Sequence, residues 1–314
     1  MKALIIGGAG FVGDYLIDHL LHDWGWSIIV TKLEHETLEP KDGIFVYNLD
    51  ILNKNAITNL LKEVRPDYIF HLAAQSSVSL SWKNPSLTID VNIKGSVNVL
   101  DAIRELDYNP RTLLIGSGEE YGRILPDEAP IIESNSLRPG NIYAATKTCQ
   151  NMIGNIYATA YQMDIIMVRA FNHIGPKQSP IFVVADFCKQ VAEIEKGIKE
   201  PILYVGNLSA KRDFTDVRDV VRAYSLLIQK GKAGETYNVG SGKAISIENI
   251  LKIILSHSTY SIEVKIDKDK IRPLDIPIIE PDINKLVDCA GWSTNISLEN
   301  TILETLNYWR TCLN

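Results

Sequence analysis

A doubly wound, parallel α/β sheet with a smaller, interleaved C-terminal lobe is the fold this sequence predicts. Three observations carry it. Short, nearly continuous apolar runs such as "KALII", "SIIVT" and "RTLLIGS" recur through the first 171 residues. Segments of helical period separate them. A glycine-spaced turn, "GGAGFVG", joins the first run to the first helical segment. Strands buried on both faces read as unbroken apolar runs, and their alternation with helices gives parallel order.

The elements follow in sequence. After "KALII" a helix runs through about His22. "SIIVT" is strand two, and "GIFVYNLDI" holds strand three with Asp50 at its end. "AITNLLKEV" is helical and "DYIFHLAA" is strand four. A long helix follows Pro85 through "DVNIKGSVNVLDAI". "RTLLIGS" is strand five, "YAATKTCQNMIGNIYATAY" a helix, and "DIIMVRAF" strand six. After Phe171 the pattern becomes irregular. "NHIGPKQSP" is a turn-rich loop. "FVVADFCKQVAEIEKG" and "VRDVVRAYSLLIQKG" are helices, "TYNVGSG" is a strand, and "SIENILKIILSH" and "LENTILETLNYWR" close the chain as helices. Residues 1–171 with about 214–246 form the first domain; about 172–213 and 247–314 form the second lobe.

The totals set limits on function. The chain has 314 residues, 46% of them hydrophobic, enough for one large α/β unit or two coupled domains. A net charge of −6 and a pI of about 5.6 disfavour nucleic acid as partner. The cysteines Cys149, Cys188, Cys289 and Cys312 form no CxxC pair, which fits reduced thiols in a cytoplasmic protein. Asp14 and Asp18 interrupt the apolar start, so it reads as structure rather than a targeting segment. No run suits a membrane span, and no His/Cys/Asp cluster has metal spacing.

Gly7, Gly10 and Gly13 place G-x-x-G-x-x-G at a strand-to-helix turn. Such glycines let backbone approach a pyrophosphate, and the helix N-terminus adds N–H groups and a positive dipole. The expected ligand is a nicotinamide dinucleotide. NAD binders of this kind often carry a carboxylate at the end of strand two. Here the tip is "VTKLEHE". Lys32 suits a 2′-phosphate, whereas Glu34 or Glu36 repels one. NAD(H) is favoured and NADP(H) stays open. Asp50 and Ile51, after strand three, stand where an adenine amine would be read; Asp50 is equally readable as an exposed loop carboxylate.

Tyr143 and Lys147 form Y-x-x-x-K on one helix face, one turn apart. Ser117 ends strand five, at the sheet edge where open α/β sheets bind ligands. An ammonium beside a phenol favours phenolate, making tyrosine a usable acid or base near neutral pH. Ser117 would hydrogen-bond the reacting oxygen. Two carboxylates, Glu119 and Glu120, follow it in "IGSGEEYG". His71 reads as a satisfied strand-end residue. His173 lies near the substrate loop, with a binding and a structural reading equally open.

"GGAGFVG", "FHLAA", Ser117, "YAATK" and "RDFTDVRD" together resemble the extended short-chain dehydrogenase/reductase family, over essentially the whole chain. The resemblance implies a Rossmann-type fold and nucleotide-sugar substrates. It implies catalysis by Ser117, Tyr143 and Lys147, and a cofactor surface including Phe11, Val12, Leu72, Ala73 and Ala74. "FNHIGPKQSPIFVVADFCKQV" and "IRPLDIP" resemble the GDP-sugar branch, particularly the GDP-4-keto-6-deoxymannose reductases. That likeness puts Asn172, Lys189, Arg212, Arg218 and Arg272 at or beside the diphosphate and nucleotide, and Asp275 at the ribose. Cations neutralise a diphosphate and a carboxylate accepts from vicinal hydroxyls. In the related 4,6-dehydratases a glutamate at the position of Glu119 removes the C5 proton. Glu119 is expected to contact the sugar, and Glu120 to be structural or solvated.

Three functions compete. One is C4 oxidoreduction of a GDP-sugar: reduction of a 4-keto-6-deoxy sugar, or oxidation of a GDP-manno-hexose or heptose. Another is a GDP-mannose 4,6-dehydratase-like lyase with Glu119 as base. The third is a non-catalytic nucleotide-binding protein of the same fold, which the complete Ser-Tyr-Lys set opposes. The resemblance also implies a homodimer or higher homo-oligomer, joined through the helix after Pro85 and the helix bearing Tyr143.

Overall fold

The computed structural model describes residues 1–125, 128–270 and 276–313. Its first part runs β1 (Lys2–Ile6), α1 (Phe11–His22), β2 (Ser27–Lys32), β3 (Ile44–Asn48), α2 (Lys54–Val64), β4 (Tyr68–His71), α3 (Val78–Lys83), α4 (Pro85–Ile89), α5 (Ser96–Arg104), β5 (Arg111–Ser117), α6 (Ile142–Ala160) and β6 (Ile165–Ala170). The rest runs β7 (Asn172–Ile174), α7 (Val183–Glu195), β8 (Ile202–Val205), β9 (Lys211–Asp216), α8 (Val217–Lys230), β10 (Thr236–Val239), β11 (Ala244–Ser246), α9 (Ile247–Ser256), β12 (Glu263–Ile266), β13 (Ile278–Ile279), α10 (Asn284–Ala290) and α11 (Leu298–Cys312).

Seven strands form one sheet in the order β10-β6-β5-β4-β1-β2-β3. Every neighbouring pair is parallel. Alternation along β1 shows how both faces are covered. Ala3 and Ile5 pack with α1, α8 and α10, while Leu4 and Ile6 pack with α2, α5 and α6. The strand order turns around at β1 and β4, which opens a crevice at the carboxyl edge there. A separate core joins α7, α9 and α11 to β8.

The structure differs from the sequence reading at several places. Strand four stops at His71, because Leu72 N and Ala73 N both donate to Ile6 O, at 3.0 and 2.8 Å. That turns Leu72-Ala73-Ala74 toward the glycine turn. The helix after Pro85 carries a π-helical turn, Asp90–Gly95, where Gly95 packs on Ile51. The expected loop after Phe171 contains β7, which pairs with β9. β9 itself runs straight through the expected boundary at 213/214 and also pairs with β11 and β13. These strands are two to six residues long and pair across distant sequence, so no local period announces them.

Among the described residues, no helix is long and apolar enough to cross a membrane. All four cysteines are free thiols.

Candidate active site

A cleft of about 1090 Å³ follows the carboxyl edge from the glycine turn to the start of α7. Two glycines are there because nothing larger fits. A Cβ on Gly7, whose φ is +81°, would lie 2.6 Å from the Ala73 Cα, and one on Gly13 would lie 2.3 Å from the Gly8 carbonyl oxygen. Gly10 caps α1 without a side-chain hydrogen bond, so the first amides of the helix lack a side-chain cap. Gly10, Phe11, Val12 and Gly13 line the cleft, as do Leu72, Ala73 and Ala74. A turn this tight beside an uncapped helix N-terminus fits a dinucleotide pyrophosphate.

Beyond the turn the tip of β2 meets the cleft. Lys32 lines it, but its ammonium donates to the carbonyls of Leu33, Glu34 and Glu36 at 3.2, 3.5 and 2.8 Å. Glu36 also lines the cleft, its carboxylate accepting from Leu33 N at 2.8 Å. Glu34 is exposed and lies off the wall. Asp50 and Ile51 both reach it. Asp50 accepts from Leu52 N at 2.9 Å, and Ile51 is core as well as wall.

Ser117, Tyr143 and Lys147 share one stretch of the wall with Glu119 and Asn141. Ser117 starts a 3₁₀ turn, Gly118–Tyr121, and its hydroxyl accepts from Glu119 N at 3.2 Å. Burial raises the Tyr143 phenol well above its usual range. The Ser117 hydrogen bond opposes this, and the Glu119 and Glu120 charges add to it. Lys147 has two protein acceptors of its own. Its ammonium donates to the Ile115 carbonyl at 2.8 Å and to Gln150 Oε1 at 2.9 Å. A buried ammonium takes the nearest strong acceptors, and burial lowers its pKa to about 8 against the pull of Glu120. Of its three donors, one is left for a ligand.

The two adjacent carboxylates have separate fates. Glu119 Oε2 accepts from Asn141 Nδ2 at 3.1 Å and faces the cleft. Glu120 is fully buried; its Oε1 accepts from Ser117 N at 2.8 Å and its Oε2 from Arg169 Nε at 3.0 Å. Burial lifts its pKa to about 7 although Arg169 pulls it down.

The expected substrate residues scatter. Asn172 and Arg212 line the cleft, and Arg212 Nη1 donates to the carbonyls of Lys211 and Ile276 at 2.8 and 2.6 Å. Lys189 lies off the wall, its ammonium 5.5 Å over the Trp309 ring and 3.8 Å from Glu193. Arg218 also lies off the wall, bound to Asp216 and Glu304, each at 2.7 Å. Both cations are captured by carboxylates on neighbouring turns and helices. Arg272 and Asp275 fall outside the described residues.

The substrate loop is fastened to α1. Tyr15 Oη donates to Pro176 O at 3.0 Å, and Lys177, at φ +70°, reaches Asp14 at 2.8 Å. His173 lines the cleft and stacks on Phe11 with centroids 6.2 Å apart. His71 is buried and only half satisfied: Nε2 meets Ser96 Oγ at 3.0 Å, while Nδ1 has no partner among the described residues. Among those residues no His/Cys/Asp/Glu group could hold a metal ion.

Sequence reasoning missed Asn141 and Gln150. Asn141 is the N-cap of α6, a signal readable from its place before the helix. Gln150 follows Lys147 by three residues on the same helix face.

A hydroxyl-phenol-ammonium set at the carboxyl edge, beside a glycine turn for a dinucleotide, defines an NAD(P)-dependent nucleotide-sugar enzyme of the extended short-chain dehydrogenase/reductase class. Within that class the chain belongs to the GDP-mannose 4,6 dehydratase family, whose model matches residues 4–305. It is 28% identical over 309 residues to the GDP-6-deoxy-D-mannose reductase of Pseudomonas aeruginosa, covering 98% of this chain and 97% of that protein. The structure of RMD from Pseudomonas aeruginosa complexed with NADPH matches with a TM-score of 0.88 at 28% identity, over 99% of this chain and 100% of that one. The Thermus thermophilus UDP-glucose 4-epimerase complex with NAD matches with a TM-score of 0.87 at 28% identity, over 99% of each chain.

Tyr143→Phe is expected to keep the ring packing and cofactor affinity but to lower turnover by roughly 10²–10⁴-fold, the usual worth of a positioned proton donor. Steady-state assay beside cofactor titration checks this, and full activity in the variant removes Tyr143 from the chemistry.

Proposed function

We propose that the protein is a C4 oxidoreductase of a GDP-linked sugar with NAD(H) as its preferred cofactor. It either reduces a 4-keto-6-deoxy sugar or oxidises a GDP-manno-hexose or heptose at C4. The observation that carries this is the gathering of Ser117, Tyr143 and Lys147 on one wall of the cleft, beside a turn shaped for a dinucleotide. The bound cofactor supplies or accepts the hydride; the chain's own residues manage the proton. In the reducing direction Tyr143 Oη gives its proton to the C4 oxygen, and Ser117 Oγ donates a hydrogen bond to that oxygen. Lys147, anchored by Ile115 O and Gln150, offers its remaining donor to the cofactor and its charge to the site. Arg212 and Asn172 are the cleft-lining candidates for the diphosphate side of the substrate.

Glu119 supports a second reading, a 4,6-dehydratase. Its carboxylate shares the wall with Tyr143, close enough to act on the phenol's ionisation. C4 hydride transfer needs no second base, because Tyr143 already handles the hydroxyl proton. Held by Asn141, Glu119 is placed to accept from a sugar hydroxyl.

The NAD(H) preference rests on Glu36. Its carboxylate lines the cleft near the tip of β2, while the Lys32 ammonium is committed to three carbonyls. The oligomer is read as a homodimer through α4, α5 and α6. Leu87 and Ile89 on α4 and Met152 and Ile156 on α6 are large apolar side chains left exposed, and these two helices touch.

Three measurements test these readings. Wild-type protein incubated with GDP-mannose in deuterated water is expected to form no 4-keto-6-deoxy product. Such a product carrying deuterium at C5, and lost in Glu119→Gln, would establish the dehydratase. Fluorescence titration is expected to show tighter binding of NAD(H) than NADP(H). In Glu36→Gln the gap narrows by about tenfold, because a like charge no longer faces the 2′-phosphate; a wild-type preference for NADP(H) overturns the assignment. Light scattering at micromolar concentration is expected to give twice the monomer mass, and a monomer alone refutes the helix-face dimer.

A further inference from the structure

The small sheet of β8 and β12 has an open side. β12 pairs with β8 alone, and among the described residues no strand lies beyond it. Glu263 N donates to Pro201 O and Asp267 N to Val205 O, each at 2.8 Å. The odd-numbered residues of the strand therefore direct their N–H and C=O groups at β8, and Val264 and Ile266 turn theirs to the open side. Leu203 and Val205, their neighbours in register, are fully buried in the core of the second lobe. Val264 and Ile266, 37% and 68% exposed, carry that apolar surface out to the edge. Ile262, one step earlier on the same face, packs against the same core.

Open edges invite pairing, and proteins commonly guard them with charge. Here the guards offset each other. Lys265 Nζ lies 3.1 Å from Glu263 Oε2, on the face opposite Val264. Their order makes the strand complementary to itself. When two copies of β12 run antiparallel about Val264, Glu263 of each stands opposite Lys265 of the other, at the non-hydrogen-bonded positions where side chains lie closest. The two Val264 residues exchange both N–H···O bonds, and Ile262 meets Ile266 on the apolar face. Centring the pair on Glu263 or Lys265 sets like charges opposite and presents backbone groups already bonded to β8. Parallel pairing in register also sets like charges opposite. Only the antiparallel register about Val264 satisfies hydrogen bonds, apolar contact and charge together.

We propose that the free edge of β12 is an interaction surface for a second copy of this chain, which pairs with it antiparallel about Val264 and joins the two small sheets into one. The contact is separate from the exposed side chains of α4 and α6, so it doubles whatever unit those helices build. A strand this short buries far less than a stable dimer needs, so the association is weak and shows only at high concentration. Gly206 and Asn207 follow β8, Asp269 and Lys270 follow β12, and all four line the cleft, which places the paired edge beside it.

Sedimentation equilibrium of the full chain, from micromolar to about millimolar concentration, tests this. Wild type is expected to keep its low-concentration mass at micromolar and to approach twice that mass with a Kd of roughly 10⁻⁴ M. Glu263 and Lys265 are both exposed, so changing either leaves the fold intact. Glu263→Lys and Lys265→Glu each set like charges opposite in the pair, and each is expected to weaken the doubling by roughly tenfold. Mixed in equal amounts the two variants recover it, because every lysine then faces a glutamate. A wild type that holds its low-concentration mass throughout leaves the edge to a foreign strand or to water, and overturns the proposal. Doubling that both variants keep undiminished belongs to another surface and overturns it too. Loss in the single variants without recovery in the mixture overturns the antiparallel register about Val264.

Discussion

Everything at the carboxyl edge of the sheet depends on where the chain turns after Ser117, and the buried pair of Glu120 and Arg169 fixes that turn. Glu120 holds the Ser117 amide with one oxygen and Arg169 with the other. Arg169 continues to the Tyr121 hydroxyl and the Glu133 carbonyl, and Tyr121 to Asn238 on β10. A carboxylate taken wholly out of water loses several kcal/mol of hydration, and only a fully satisfied network offsets that. The network ties β5, β6 and β10 together directly behind the wall that faces the ligand. Ser117 can therefore stand at the strand end with its hydroxyl in the cleft while its backbone is locked from behind.

This division answers why two glutamates stand side by side. In the 3₁₀ turn that follows the strand, consecutive side chains point in different directions. Glu119 goes to the cleft and Glu120 goes under the sheet edge. Spacing on the sequence cannot assign the two, because neither a strand nor an α-helix period applies to a four-residue turn.

Most of the main sheet was legible in the sequence, because its strands are short buried runs and its helices carry a clear period. That Ser117, Tyr143 and Lys147 would come together was legible as well, since strand end, helix and one-turn spacing are all local, and all three line the cleft. What stayed hidden depends on distant contacts. β7 and β13 have three and two residues, too few for any pattern. Lys189 and Arg218 looked like diphosphate ligands by type and place, yet Glu193, Trp309, Asp216 and Glu304 hold them elsewhere. Glu34 and Glu36 were equivalent in sequence until the Leu33 amide drew one of them to the wall.

The fastening of the loop after β7 to α1 joins the two ligand sites proposed above. The glycine turn proposed for the cofactor pyrophosphate opens the same helix whose first turns hold Pro176 and Lys177. A non-glycine residue at positive φ costs backbone strain, and the Asp14 contact helps hold Lys177 there. Steadying that first turn also steadies the stretch carrying Asn172 and His173. On that reading, the ligand that arrives first would bear most of the ordering entropy of the shared turn. Any influence passed through these contacts would, by thermodynamic reciprocity, run equally in both directions between the two proposed sites.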